Sequence, residues 1–244
     1  MRGTIIVVPC YNEAARLDAA AFHRFLASGA HVGFLFVDDG SQDQTAAVVR
    51  TLAEPWPNDV RLLQLPLNQG KAEAVRAGIV EAIRLGADLV GYWDADLATP
   101  LTEIPAMAAR LVSGGATLVI GSRVRMLGHD IRRSGFRHYV GRIFATFASL
   151  QLRLPVYDTQ CGAKIFRVTP ASVVLFARPF RLRWCFDVEL LARFTALPDA
   201  AIVEFPVSRW VDVGASKLTA RQALSIIPEL MRLPSVMRDE RQRR

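Results

Sequence analysis

The feature that most constrains this chain is an alternation running through residues 1–120. Short, almost wholly apolar runs at Thr4–Val8, Phe34–Val37, Val60–Leu65, Leu89–Trp93 and Thr117–Ile120 are separated by segments of helical character. Between Lys71 and Leu85, residues Ala74, Ala77, Gly78, Val80, Ala82, Ile83 and Leu85 keep one side apolar, the pattern of an amphipathic helix. Strands that lack polar alternation belong to sheets covered on both faces, and strands joined by helices pair in parallel. The expected fold is α/β: a Rossmann-like, doubly wound, mostly parallel sheet with helices on both faces and a basic helical C-terminal portion.

That C-terminal portion is where composition matters. The 244 residues carry 30 Lys and Arg against 23 Asp and Glu, a net charge of +7. Residues 1–120 hold nine basic and thirteen acidic side chains, net −4, whereas residues 121–244 hold 21 and ten, net +11. Only Lys71, Lys164 and Lys217 are lysines, so the positive charge is almost all guanidinium, which grips phosphate oxygens two at a time. A nucleic acid, an anionic membrane or a phosphorylated substrate all suit such a surface. At 51% hydrophobic residues, disorder and collagen-like repetition are excluded.

After Gly121 the chain is Arg-rich up to Arg142. A helix is predicted over Val140–Leu152, with Ile143, Phe144, Phe147, Ala148 and Leu150 as a broad apolar surface, which packs in the core or rests on a bilayer. Further helices are predicted over Phe186–Leu197 and Ala220–Leu233, the second kinked or broken at Pro228, and Arg238–Arg244 is expected to fray. Cys10, Cys161 and Cys185 fit neither a disulfide framework nor zinc spacing, and no apolar run approaches the roughly 18 residues of a membrane span. A reducing compartment follows: a cytoplasmic protein, at most peripheral at the cytoplasmic face of a membrane.

In such sheets ligands sit outside the carboxyl ends of the strands. There strand one runs into Pro9-Cys10-Tyr11-Asn12-Glu13, strand two into Asp38-Asp39-Gly40-Ser41, and strand four into Asp94-Ala95-Asp96. Polar tips are ordinary and Asp-Gly marks a turn, but three acidic tips on one edge repel unless a cation or a donor-rich ligand joins them. In extended backbone Asp94 and Asp96 point the same way with only Ala95 between. Two carboxylates, water and phosphate oxygens are what Mg²⁺ or Mn²⁺ accepts, so the pair is the candidate metal site, holding a diphosphate. Asn68-Gln69-Gly70-Lys71 opens a helix, where a lysine runs against the dipole unless an anion offsets it; a plain turn with a solvated lysine is the other reading. Gly121-Ser122-Arg123 puts a guanidinium on the same edge.

In order and spacing these motifs resemble the family 2 glycosyltransferases of the GT-A fold. Asp158–Lys164, Arg183–Leu191 and Gly214–Leu218 are similar to the dolichyl-phosphate β-glucosyltransferase branch and its prokaryotic polyprenyl-phosphate relatives. The resemblance implies a GT-A catalytic domain over residues 1–220, with 221–244 a helix and charged tail of the same domain. It implies that Pro9, Tyr11, Glu13, Val37 and Asp39 line the base and ribose pocket. Gly70, Lys71, Asp94, Ala95 and Asp96 would complete the nucleotide-sugar site, with Mg²⁺ or Mn²⁺ on Asp94 and Asp96, and Arg123 and Lys217 would meet phosphates. Mannosyl relatives carry Gln two positions after the second metal Asp; Ala98 stands there, as in the glucosyl branch, leaving the third metal ligand open. The implied reaction is inverting, metal-assisted transfer of glucose from UDP-glucose to a polyprenyl or dolichyl phosphate. GDP-mannose as donor, or a polysaccharide or other hydroxyl acceptor, is the alternative.

A phosphate acceptor is ionised near neutral pH and needs cations rather than a strong base. Arg123, Arg133, Ser134 and Arg137 are the acceptor-phosphate candidates, and Asp96, Arg123 and Asp158 the catalytic set, with Asp158 orienting the acceptor, acting as base for a hydroxyl, or pairing with an arginine. Asp187 and Glu189 read as structural, Cys161 and Cys185 as buried hydrophobes, and His129 and His138 as surface residues. A nucleotidyltransferase would open on a Gly-rich signature with Arg and Lys, which Pro9–Glu13 is not. A nucleic-acid module leaves the acidic strand ends without purpose. The expected partners are a nucleotide-sugar donor, a lipid-linked phosphate acceptor and a peripheral membrane contact, with no nucleic acid. Oligomeric state is not legible.

Overall fold

Each of the five apolar runs forms a strand in the computed structural model, which describes residues 3–132, 135–211 and 220–242. They are β1 (Thr4–Cys10), β2 (Val32–Asp38), β3 (Val60–Gln64), β4 (Leu89–Trp93) and β5 (Leu118–Ser122). With β7 (Ala163–Arg167) and β8 (Ile202–Pro206) they make a seven-stranded sheet in the order β3-β2-β1-β4-β7-β5-β8. The left half pairs in parallel and β5 pairs β8 in parallel, whereas β7 runs antiparallel to both β4 and β5. A small parallel pair, β6 (Asp130–Arg132) and β9 (Arg209–Val211), lies apart from it.

Period-two side-chain alternation sorts the strands between two cores. Ile5, Val7, Leu35 and Val37 face α3 (Lys71–Arg84), α5 (Gly135–Leu152), α7 (Phe186–Thr195) and α8 (Ala220–Gln242). Ile6, Val8, Phe34 and Phe36 face α1 (Ala19–Ala27), α2 (Thr45–Ala53) and α4 (Ile104–Ser113). The short α6 (Pro170–Leu175) follows β7 and packs on α7. Apolar burial on both faces is why these strands carry almost no polar positions.

Three expectations need correction. β7 was not anticipated because Lys164 stands in its middle; the lysine is 1% exposed and its Nζ donates to Asp187 Oδ1 at 2.6 Å and to the Cys161 carbonyl at 2.7 Å. α5 begins at Gly135 rather than Val140, since Gly135–Tyr139 shows no apolar periodicity. α8 continues through Pro228 and Pro234 to Gln242 instead of stopping at Leu233 and fraying from Arg238. Tertiary contact holds it: Leu233, Val236 and Met237 are buried in the core, and Arg178 and Arg181 pair with Glu240 and Asp239 at 3.0 and 2.6 Å.

Candidate active site

The carboxyl ends of β1, β2, β4 and β5 share one edge with the loop before β7, because that strand runs the other way. The β1 tip is braced by its neighbour across the edge. Asn12, at φ 53, donates its N–H to Ser41 Oγ at 3.0 Å and accepts from Gln42 N–H at 2.9 Å; Glu13 N–H donates to Thr45 Oγ1 at 2.8 Å. Tyr11 stands 42% exposed over this braced turn. The Glu13 carboxylate takes both arms of Arg16, at 2.5 and 2.9 Å, a partner that the i,i+3 spacing could have revealed.

Asp39 is only 2% exposed, and its two oxygens accept the N–H groups of Gln69 and Gly70, each at 2.8 Å. Burial pushes its carboxyl above the ordinary range, against the pull of those two N–H groups and of the Arg183 charge. Its work here is to pin the turn that presents Lys71. Val37, expected in the base pocket, has its side chain wholly inside the core, and Ala95 is 6% exposed; Pro9, its register partner being Val37, is half-buried at the sheet edge.

At the end of β4, Lys71 Nζ meets Asp94 Oδ1 at 2.5 Å. Burial draws the Lys71 ammonium down, but Asp94, Asp187 and Asp96 together raise it above its ordinary value, so it stays charged. Asp96 Oδ1 accepts the Ala98 N–H at 3.0 Å across Leu97, which sits at φ 52, a conformation uncommon for a branched side chain. Burial and then the Asp94 charge push the Asp96 carboxyl up; Lys71 and Arg16 offset this only in part. Two carboxylates with incomplete neutralisation fit a divalent cation whose other ligands are diphosphate oxygens and water. Among the described residues no third His, Cys, Asp or Glu completes a metal cluster.

One backing residue escaped the sequence reading. Gly162 accepts the Asp94 N–H through its carbonyl at 2.9 Å, and a Cβ on Gly162 would lie 1.9 Å from Asp94 Oδ2.

Of the three readings of Asp158, pairing with an arginine is the one observed, and the arginine is Arg123. Arg123 Nε and Nη2 donate to Asp158 Oδ2 and Oδ1 at 2.6 and 2.8 Å, and the Arg123 N–H adds a third bond at 3.1 Å. The guanidinium also lies 5.3 Å from the Trp210 ring centre. Asp158 is thus held by an arginine, which leaves it poorly placed to serve as a base. Glu204 supports the loop by accepting the N–H groups of Tyr157 and Asp158 at 2.8 and 2.9 Å. Val211 N–H donates to the Ala98 carbonyl at 3.2 Å, so the chain leaves β9 beside the acidic loop. Lys217, Arg133, Ser134 and the side chain of Arg137 lie outside the described residues.

Asp187 and Glu189 are structural, as expected: Tyr92 Oη and Lys164 donate to Asp187, and Glu189 pairs with buried Arg193 at 2.6 Å. Cys161 and Cys185 are buried, and burial first of all pushes their thiols up to about 11 and about 12. His129 is a correction: it is half-buried, with Nδ1 2.8 Å from the Val207 carbonyl. The side chain of His138 lies outside the described residues.

The model of glycosyl transferase family 2 matches residues 5–175. The chain belongs to that family. A dolichyl-phosphate beta-glucosyltransferase of Trichomonas vaginalis is 31% identical over 243 residues, covering 94% of this chain and 70% of the relative. The human dolichyl-phosphate beta-glucosyltransferase is 32% identical over 230 residues, covering 87% and 68%. Among solved structures, glucosyl-3-phosphoglycerate synthase from Mycobacterium tuberculosis, in complex with Mn²⁺, UDP and glucosyl-3-phosphoglycerate, superposes with a TM-score of 0.65 over 98% of this chain and 80% of that one, at 18% identity. The fold is therefore that of the GT-A glycosyltransferases, and this family member is a glycosyltransferase whose acidic strand ends form the candidate catalytic edge.

Proposed function

We propose that this glycosyltransferase moves glucose from UDP-glucose to a polyprenyl phosphate of the dolichyl type, inverting the anomeric carbon, with Mg²⁺ or Mn²⁺ on Asp94 and Asp96. The observation that carries the reading is the likeness to dolichyl-phosphate beta-glucosyltransferases over 94% and 87% of the chain. A bound divalent ion supplies the charge that the leaving diphosphate needs. Lys71 adds a fixed ammonium beside it, and the Asp39-pinned turn keeps that ammonium at the edge.

The carboxylates of this edge favour an acceptor that arrives already ionised. Glu13 is paired with Arg16, Asp39 with backbone N–H groups, Asp94 with Lys71 and Asp158 with Arg123; Asp96 is assigned to the metal. A hydroxyl acceptor would need one of them as general base. Arg133 and Arg137 are the cations proposed for the attacking phosphate oxygen, and Arg123 holds the loop that carries Asp158.

Contact with the bilayer falls to α5. Ala145, Ala148 and Leu152 bury one of its faces, while Ile143 and Leu150, 73% and 71% exposed, stand on another beside the exposed Arg153. Among the described residues no helix is long and apolar enough to cross a membrane.

The test is nucleoside diphosphate release from a panel of UDP- and GDP-sugars, with and without polyprenyl phosphate, in Mg²⁺ or Mn²⁺. UDP release from UDP-glucose should depend on the lipid phosphate, stop with EDTA and return with either ion. Release that never depends on the lipid phosphate overturns the acceptor; release that survives complete chelation overturns the metal.

A further inference from the structure

The C-terminal helix reaches into the donor half of the site through one carboxylate. Glu229 of α8 accepts the N–H of Arg183 on Oε1 at 3.1 Å, and those of Trp184 and Cys185 on Oε2 at 2.9 and 3.0 Å. Cys185 is the N-cap residue of α7 and offers no side-chain cap of its own. N–H groups at a helix start lack intrahelical partners and carry the positive end of its dipole. Glu229, 44 residues further along the chain, therefore caps α7 from another helix.

The turn so fixed carries Arg183 across to the β3–α3 loop. Its Nη2 lies 3.4 Å from the Gln69 carbonyl oxygen, and a Cβ on Gly70 would come within 2.9 Å of that nitrogen. Gly70 has φ 93 and immediately precedes Lys71. The exposed Arg183 guanidinium thus packs against Gly70, whose successor Lys71 opens a 14-residue helix. Among the described residues no carboxylate forms an ion pair with the Arg183 guanidinium; it meets the Gln69 carbonyl, and Glu229 meets only the Arg183 backbone N–H.

We propose that Arg183 is a second cation for the diphosphate of the donor, and that Glu229 is the positioning residue that sets it there. This rests on the reading of this edge as a nucleoside diphosphate sugar site, and makes the C-terminal helix part of donor recognition.

The experiment measures UDP binding in Mn²⁺ by calorimetry, together with KM for UDP-glucose and kcat. Arg183→Ala, a change at an exposed side chain, should weaken UDP binding and raise KM about 10-fold or more, with Arg183→Lys between it and the parent. Glu229→Ala should shift both in the same direction, and Glu229→Gln, which keeps a carbonyl acceptor, should recover part of the loss. The double variant Arg183→Ala/Glu229→Ala should bind UDP no more weakly than Arg183→Ala alone, since the second residue acts through the first. Parent protein that binds no UDP with Mn²⁺ overturns the site reading itself. Parent protein that binds UDP while Arg183→Ala binds it equally well overturns this inference and leaves that reading standing. Should Glu229→Ala unfold, the Arg183 variants still decide the contact, and Glu229→Gln decides the positioning: unchanged UDP binding in Glu229→Gln and a full 10-fold loss in Arg183→Ala assign Arg183 alone.

Discussion

Asp94 keeps its carboxylate at the end of β4 because the residue behind it has no side chain. The missing Cβ of Gly162 is the space that Asp94 Oδ2 uses. Gly162→Ala should therefore turn the carboxylate away from Lys71 and lower kcat about 10-fold or more, with the melting temperature held within a few degrees, because the displaced group is the far end of a side chain. Turnover equal to the parent's would disprove the packing argument. Single residues account for what could and could not be read in advance. Asp94 and Asp96 were legible because carboxylates two apart share a face of extended chain. The tie between Arg123 and Asp158 was not, since 35 positions separate them and only the sheet brings them together. Val37 was placed in the pocket by likeness, and its side chain belongs to the core.

Among the secondary-structure elements, strands covered on both faces declared themselves, as did the half-exposed edge strand β3, whereas the charged β7 and the half-exposed β8 did not. β1, β2, β4 and β5 are apolar runs because each is walled by helices. β7 hides a lysine whose counter-charge, Asp187, comes from α7, and β8 alternates between half-buried and exposed positions at the sheet edge. α8 reads as broken at Pro228, since proline removes a donor and crowds the preceding turn; its burial outweighs that cost, which is about 3 kcal/mol per residue in a helix interior. α5 buries one face in the core through Ala145, Ala148 and Leu152 and leaves Ile143 and Leu150 exposed on another, the face proposed for the bilayer. Replacing Ile143 and Leu150 by Glu should cut binding to anionic vesicles and turnover of a long-chain prenyl phosphate about 10-fold. Turnover of a short, water-soluble prenyl phosphate should stay within about 2-fold, because neither residue belongs to the core. An equal loss on both acceptors would show that the face serves catalysis and not docking.

Over the whole molecule, charge is unevenly divided: net −4 in residues 1–120, which hold the proposed metal and nucleotide residues Asp94, Asp96 and Lys71, and net +11 beyond. Attraction of basic residues to an anionic surface is worth about 1 kcal/mol each close to the membrane and is screened over about 10 Å at 0.1 M salt. Binding to vesicles containing phosphatidylserine should accordingly fall steeply between about 0.05 and 0.5 M NaCl, whereas donor KM in detergent, read at fixed metal, should move far less. Vesicle binding indifferent to salt would place the docking force wholly in the apolar face of α5.

The reversed strand at the middle of the sheet also governs when the enzyme comes into being. β4 and β5 do not touch each other; β7 fills the space between them, and its preceding loop supplies Gly162 to Asp94 and Asp158 to Arg123. A chain leaving the ribosome can pair β1, β2, β3 and β4 early, yet β5 has no partner in the sheet and the candidate edge stays open until β7, ending at residue 167, has docked beside β4. Such late, long-range closure is slow compared with local folding. Truncated or stalled chains are thereby born without a working centre, and activity reports on completed insertion of one five-residue strand.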